Sequence, residues 1–204
     1  CIRDRAYIVV AILSYLIGSI NFSIIISKKV AGFDVREKGS GNAGTTNMLR
    51  TVGKKAALIT LVCDILKGVI SILLALLIGK IAKEANNSIL VQIAGILVII
   101  GHTFPIFFGF KGGKGVATSL GVLIMTNWQI GLICLAIAII IMAITKMVSL
   151  GSCMAAIAFP LLTYFAANIF ENAYIVKEGS SYFVYSIIPV SYTHLRAHET
   201  RGNL

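Results

Sequence analysis

Apolar residues run along this chain in blocks too long for a half-buried strand and too continuous for one face of a soluble helix. Residues 6–26 form the first block, 56–79 the second, 89–108 the third and 148–169 a later one. A helix of about 20 predominantly apolar residues crosses the hydrocarbon core of a bilayer, so each block predicts a transmembrane helix. The block 116–144 is long for one span and short for two. With Asn127, Trp128 and Gln129 in its middle, it reads as two short helices joined by a turn at Asn127. Residues 182–190 begin one more apolar run. The expected fold class is all-α, a polytopic transmembrane bundle.

Composition agrees with that pattern. Hydrophobic residues make up 57% of the 204 residues and charged residues 13%, where a soluble domain carries about 25% charged residues. This excludes a disordered chain and leaves too few polar groups to cover a soluble globule. The formal net charge of +10 would suggest a nucleic-acid ligand in a soluble protein. Here the charge sits in short segments between apolar blocks, with no groove-reading motif, so no nucleic-acid partner is expected. The segment 28–55 holds Lys28, Lys29, Arg36, Lys38, Arg50, Lys54 and Lys55; Lys111, Lys114 and Lys146 fall on the same side if 116–144 crosses twice. The other side has Arg3, Arg5, Lys80, Lys83 and Lys177. Lysine and arginine are retained on the cytoplasmic face, which puts the 28–55 segment in the cytoplasm of a multi-pass cell-membrane protein.

The four cysteines, Cys1, Cys63, Cys134 and Cys153, form no C-x-x-C pair, and three lie in apolar blocks. They read as buried thiols. The chain begins at Cys1, and residues 191–204, SYTHLRAHETRGNL, turn abruptly polar in a way that resembles translated sequencing adaptor. They are set aside from fold reasoning, leaving 1–190 as one membrane domain. His194 and His198 in that tail have i, i+4 ligand spacing but no further ligand nearby, so no metal site is assigned.

Two polar, basic, glycine-rich segments stand out. The first, 38–50, reads KGSGNAGTTNMLR. Gly39, Gly41 and Gly44 let the backbone turn with N–H groups facing an anion. Ser40, Asn42 and Asn47 add neutral donors, and Arg50 can fork two bonds onto a phosphate. The plain alternative is a flexible connector, which has no need of those asparagines and Arg50 at a membrane surface. Gly39-x-Gly41-x-x-Gly44 also matches the dinucleotide fingerprint, but no strand precedes it and no acidic residue follows at the required distance. The second segment, 101–118, reads GHTFPIFFGFKGGKGVAT. Gly109, Gly112, Gly113 and Gly115 surround Lys111 and Lys114. It is not a P-loop, because Gly115 follows Lys114. It offers N–H groups, two ammonium charges and the start of a helix near Val116. Pro105 is placed to break the preceding helix; His102 fits either a structural hydrogen-bonder or a site residue.

Asp64 and Lys67 interrupt the second block at i, i+3 spacing, on one helix face where they can pair. Ionisable groups at membrane depth are costly and mark a site or a bundle-interior salt bridge. Ser149 and Ser152 share a face early in the block 148–169, where serines commonly bond to neighbouring helices.

With these motifs in order, the chain resembles, over residues 8–190, the bacterial acyl-phosphate:glycerol-3-phosphate acyltransferases. The resemblance rests on 39–50, on 101–118, and on the shorter signatures Asp64-Ile-Leu-Lys67-Gly68 and Val148-Ser149-Leu150. It implies a helical bundle of about seven spans whose motif loops meet at the cytoplasmic face. It implies acyl transfer from a fatty acyl phosphate to the 1-hydroxyl of glycerol 3-phosphate, in phospholipid biosynthesis, without a metal or cofactor. By resemblance Ser40 and Arg50 are catalytic, with Asn42 and Asn47 beside them. Substrate binding falls to Gly39, Gly41, Gly44, His102, Lys111, Gly112, Gly113, Lys114, Gly115 and Ser149. A His and an Asn of the family's third motif are not found where the tail begins. An acyl phosphate is already an activated anhydride, so positioning and oxyanion stabilisation suffice, in keeping with the lack of a Ser-His-Asp set. The competing reading is a transporter or channel for a phosphorylated solute, with Asp64 and Lys67 on its path.

Overall fold

The first apolar block does not fold as one helix. Helix α1 covers Ile2–Ser19 and α2 covers Phe22–Ala31, with a break at Ile20 and Asn21. The span expected over 6–26 is present within Asp4–Ala31, but as two helices rather than one, and a single side chain makes the break. Asn21 Oδ1 accepts from Ile24 N at 3.3 Å and from Ser23 Oγ at 2.7 Å, which caps α2. The structure, a computed structural model, describes residues 2–83, 86–145 and 147–166. Lys146, Lys177, the end of the 148–169 block, the run at 182–190 and the tail with His194 and His198 lie outside them.

The described residues form eight α-helices and no strand. After α2 come α3 (Thr45–Thr51), α4 (Lys54–Ala82), α5 (Asn87–Thr103), α6 (Val116–Thr126), α7 (Trp128–Thr145) and α8 (Val148–Ala166). Four helical segments are long and apolar enough to cross a bilayer: Asp4–Ala31, Lys54–Ala82, Asn87–Phe108 and Trp128–Thr145. Val116–Thr126 and Leu150–Thr163 are shorter apolar helices. Ile8, Leu58, Leu73 and Ile140 turn outward, a surface that lipid tolerates because each helix satisfies its own backbone. The all-α membrane class expected from the pattern is the one observed.

Two compact units divide the chain between Val122 and Leu123. In the first, α1 packs on α4 and α5, and α4 packs on α5. A Cβ at Gly18 would strike the Val98 backbone, and one at Gly101 the Tyr15 carbonyl. Small residues thus let α1 and α5 approach closely, as in membrane helix pairs. The carboxyl ends of α1 and α5 therefore lie side by side; the second polar segment follows α5 directly, and the first follows α2. At the opposite end, Asn86 N donates to the Tyr7 hydroxyl at 3.1 Å.

In the second unit α7 packs on α8 around Ile130, Cys134 and Phe159. The expected turn at Asn127 is present: its Oδ1 accepts from Ile130 N at 3.1 Å and separates α6 from α7. Among the described residues Cys63, Cys134 and Cys153 form no disulfide.

Candidate active site

The first polar segment is folded from its centre outward. Asn47, on α3, is buried. Its Nδ2 donates to the carbonyls of Val35 at 2.8 Å and Lys38 at 3.0 Å, and its Oδ1 accepts from Ser40 N at 3.0 Å. One amide thus fixes the bend 35–40. Gly39 has φ +63°, and a Cβ there would collide with Asn47 Oδ1, so both the dihedral and the space require glycine. Beneath the bend, Ile24, Val35, Ala43, Met48, Ala56 and Ala57 form a buried apolar cluster, with Phe108 of the second segment packed against it. Ser40 and, in the last turn of α3, Arg50 are among the residues left exposed on the outside.

The second segment is pinned to the end of α5. Gly112 N donates to the Thr103 carbonyl at 3.0 Å, and Gly113 N to the His102 carbonyl at 3.2 Å. A Cβ at Gly113 would meet His102 Nε2 and, at 2.5 Å, the Ala43 carbonyl of the first segment. Glycine here permits three strands of backbone and side chain to meet. Pro105 closes the end of α5 as expected, followed by the turn Ile106–Phe108 and by Gly109 and Phe110, both at positive φ. Lys111 is exposed, Lys114 half-buried, and Gly115 opens α6.

The segments were expected to present backbone N–H groups to an anion. The structure corrects this for most of them. In the first segment Ser40 N binds Asn47 Oδ1, Gly41 N binds the Lys38 carbonyl and Gly44 N the Asn42 carbonyl; in the second, Gly112 and Gly113 are bound as above. Buried backbone donors are paired wherever a partner is within reach. The cationic side chains and the first turn of α6 are left to carry the positive field.

The two segments are tied by a residue whose role the sequence reading missed. Arg36 Nη1 donates to the carbonyls of Phe108 at 2.7 Å and Lys111 at 3.0 Å. Its Nε and Nη2 fork onto Asp34, at 3.0 and 2.8 Å, and Lys28 lies 3.4 Å from the same carboxylate. The Arg36 hydrogen bond holds the Asp34 carboxyl well below its ordinary value, at about 2. Arg36 is pushed up by the same bond. The available signal was the D-x-R spacing beside a turn, since Asp34 Oδ1 also caps Arg36 N at 3.0 Å, an Asx turn that lays guanidinium on carboxylate.

Below both segments lies a buried polar cluster. Asp64, Lys67 and His102 are 1%, 2% and 3% exposed, and the pairing expected of Asp64 and Lys67 is present at 3.1 Å. Of the residues singled out from sequence, Gly39, Ser40, Gly41, Asn42, Gly44, Asn47 and Arg50 are gathered with His102, Lys111, Gly112, Gly113, Lys114 and Gly115 at one end of the first unit. Within that group His102 sits under the glycine strand, and Asn47 under its own loop. Ser149 belongs to the first turn of α8, in the second unit.

A lipid-embedded helical body with two interlocked cationic segments at one end defines an integral membrane protein with a polar interfacial site. A glycerol-3-phosphate acyltransferase family model matches residues 8–200. A glycerol-3-phosphate acyltransferase of Thermoanaerobacter sp. (strain X514) is 43% identical over 197 residues, 97% of this chain and 89% of that protein. One from Clostridioides difficile (strain 630) is 47% identical over 147 residues, 72% of each. The crystal structure of PlsY, an integral membrane glycerol 3-phosphate acyltransferase, in its glycerol 3-phosphate form superposes with a TM-score of 0.80 at 32% identity, covering 96% of this chain and 90% of that one. Its lysophosphatidic acid form gives 0.77. The chain belongs to the glycerol-3-phosphate acyltransferase family, and acyl transfer in membrane phospholipid synthesis takes the place of the transporter alternative.

Proposed function

We propose that the interlocked segments form the grip for glycerol 3-phosphate and that the acyl donor is a fatty acyl phosphate. The observation that carries this reading is Arg36, whose two bonds to the second segment hold Ser40 and Arg50 in the same assembly as Lys111 and Lys114. Arg50 and Lys114 supply charge for the two phosphates, with Ser40 Oγ and the first turn of α6 as further donors. The glycerol 1-hydroxyl attacks the acyl carbonyl; the ester C–O bond forms as the C–O bond to phosphate breaks, and the departing phosphate carries off the hydroxyl proton. No protein base is needed for that balance. The protein's part is orientation and stabilisation of the carbonyl oxygen as it gains charge. The glycerol 3-phosphate and lysophosphatidic acid forms of the PlsY relative support the acceptor and the product. The basic bias of the 28–55 segment supports a cytoplasmic site.

The test is direct. Detergent-purified protein given acyl phosphate and glycerol 3-phosphate yields lysophosphatidic acid without a sealed compartment. Arg50→Ala and Ser40→Ala each lower turnover about 100-fold or more; wild-type turnover in both overturns the catalytic assignment. Lys114→Ala raises KM for glycerol 3-phosphate; a lower kcat at unchanged KM contradicts its binding role.

A further inference from the structure

We propose that Lys67, with Asp64 and His102, is a positioning device for the Gly112–Lys114 strand. This rests on the reading that this strand grips glycerol 3-phosphate. Lys67 has three N–H bonds to give, and three acceptors meet them: the Gly18 carbonyl at 3.1 Å, the Ile20 carbonyl at 3.0 Å and His102 Nδ1 at 2.7 Å. Asp64 Oδ1, 3.1 Å from the ammonium, acts as a counter-charge without a directed hydrogen bond of its own. It lies 3.6 Å from His102 Nδ1. The ammonium therefore does two jobs. It closes the carboxyl end of α1, where helix carbonyls are left over and positive charge is favoured, at the break that starts α2. It also fixes the His102 ring, because a ring nitrogen that accepts from an ammonium leaves the other nitrogen to carry the hydrogen.

That ring is the floor of the strand. His102 Nε2 occupies the space a Gly113 Cβ would need, and the His102 and Thr103 carbonyls bind Gly113 N and Gly112 N. Asp64, Lys67 and His102 are shut off from the surface, so the route from Lys67 to the substrate runs through His102 and the strand. A buried salt bridge is a weak contributor to stability and costly to half-remove; a positioning role gives it a reason to persist at membrane depth.

The experiment separates position from stability. Lys67→Met and the double variant Asp64→Asn/Lys67→Met are compared with wild type for thermal stability in detergent and for steady-state kinetics. The double variant carries no unpaired charge and recovers most of the thermal stability lost in Lys67→Met. In both, KM for glycerol 3-phosphate rises about tenfold or more while KM for the acyl phosphate stays within about twofold. A double variant with wild-type KM for glycerol 3-phosphate overturns the proposal. A second pair settles the matter if the lysine variants do not fold. The Oδ1 of His102→Asn stands where Nδ1 stood and accepts from Lys67, so KM for glycerol 3-phosphate rises several-fold less than in His102→Gln. His102→Gln places its polar atoms beyond that point and raises KM. Equal kinetics in the two histidine variants overturns the proposal. Lys114→Ala is the control. If it leaves KM unchanged, the grip reading itself fails; if it raises KM and the Lys67 and His102 variants do not, only this inference fails.

Discussion

Asp34 and Arg36 carry more of the site's architecture than their place in a run of charges suggests. A guanidinium that forks onto one carboxylate and still reaches two carbonyls uses donors that lysine lacks. Arg36→Lys is therefore expected to loosen the contact with Phe108 and Lys111 and to raise KM for glycerol 3-phosphate, read by steady-state kinetics. Asp34→Asn removes the ionic half of the fork and is expected to cost about 2 kcal/mol of stability. The pH dependence has a definite sign. The folded Asp34 carboxyl lies at about 2 against an ordinary 3.8. Its contribution is fully present above about pH 4 and is lost as pH falls through about 2. The difference in thermal stability between wild type and Asp34→Asn is thus constant from neutrality down to about pH 4 and closes below it; a difference that grows on acidification refutes the assignment. At this scale the sequence was informative about chemistry and silent about partners. Arg50 and Ser40 stood out by type and context. Arg36 did not, because its partners are backbone carbonyls 72 and 75 positions away, which no local pattern records.

Helix boundaries divide along a similar line. The turn at Asn127 was legible, since three successive polar or interfacial residues interrupt a block that one span cannot use up. The break at Asn21 was not, since apolar residues flank a single asparagine and the hydrophobic pattern runs straight through it. What breaks the helix is the Asn21 side chain, buried and bonded to Ser23 Oγ and Ile24 N, with Lys67 closing the carboxyl end of α1. Asn21→Ala removes the cap and is expected to lower stability by about 1 kcal/mol, seen as a lower thermal midpoint in detergent; an unchanged midpoint means that the Lys67 bonds alone maintain the break. The glycine segments likewise gave their composition but not their use. Their N–H groups were expected to face an anion, yet most are taken up by Asn47, Asn42, Lys38, His102 and Thr103. Glycine at 39 and 113 serves instead to let side chains and backbone close on one another.

For the whole molecule, the apolar blocks and the uneven distribution of lysine and arginine lead to one topological prediction. A single cysteine placed at Lys38, in a background whose native cysteines are replaced, is expected to react with an impermeant maleimide in inside-out vesicles, and one placed at Lys83 in intact cells. The reverse pattern inverts the orientation argued from charge. By itself the sequence determined the membrane class, the helical body and the two cationic segments, because hydrocarbon imposes length, hydropathy and internal backbone satisfaction on any chain that crosses it. Only the tertiary structure decided that those segments interlock through Arg36, that their backbone donors turn inward, and that Lys67 and His102 lie beneath the glycine strand. Those contacts join residues far apart in the chain, and their geometry is set by the close packing of α1, α4 and α5, which periodicity cannot encode.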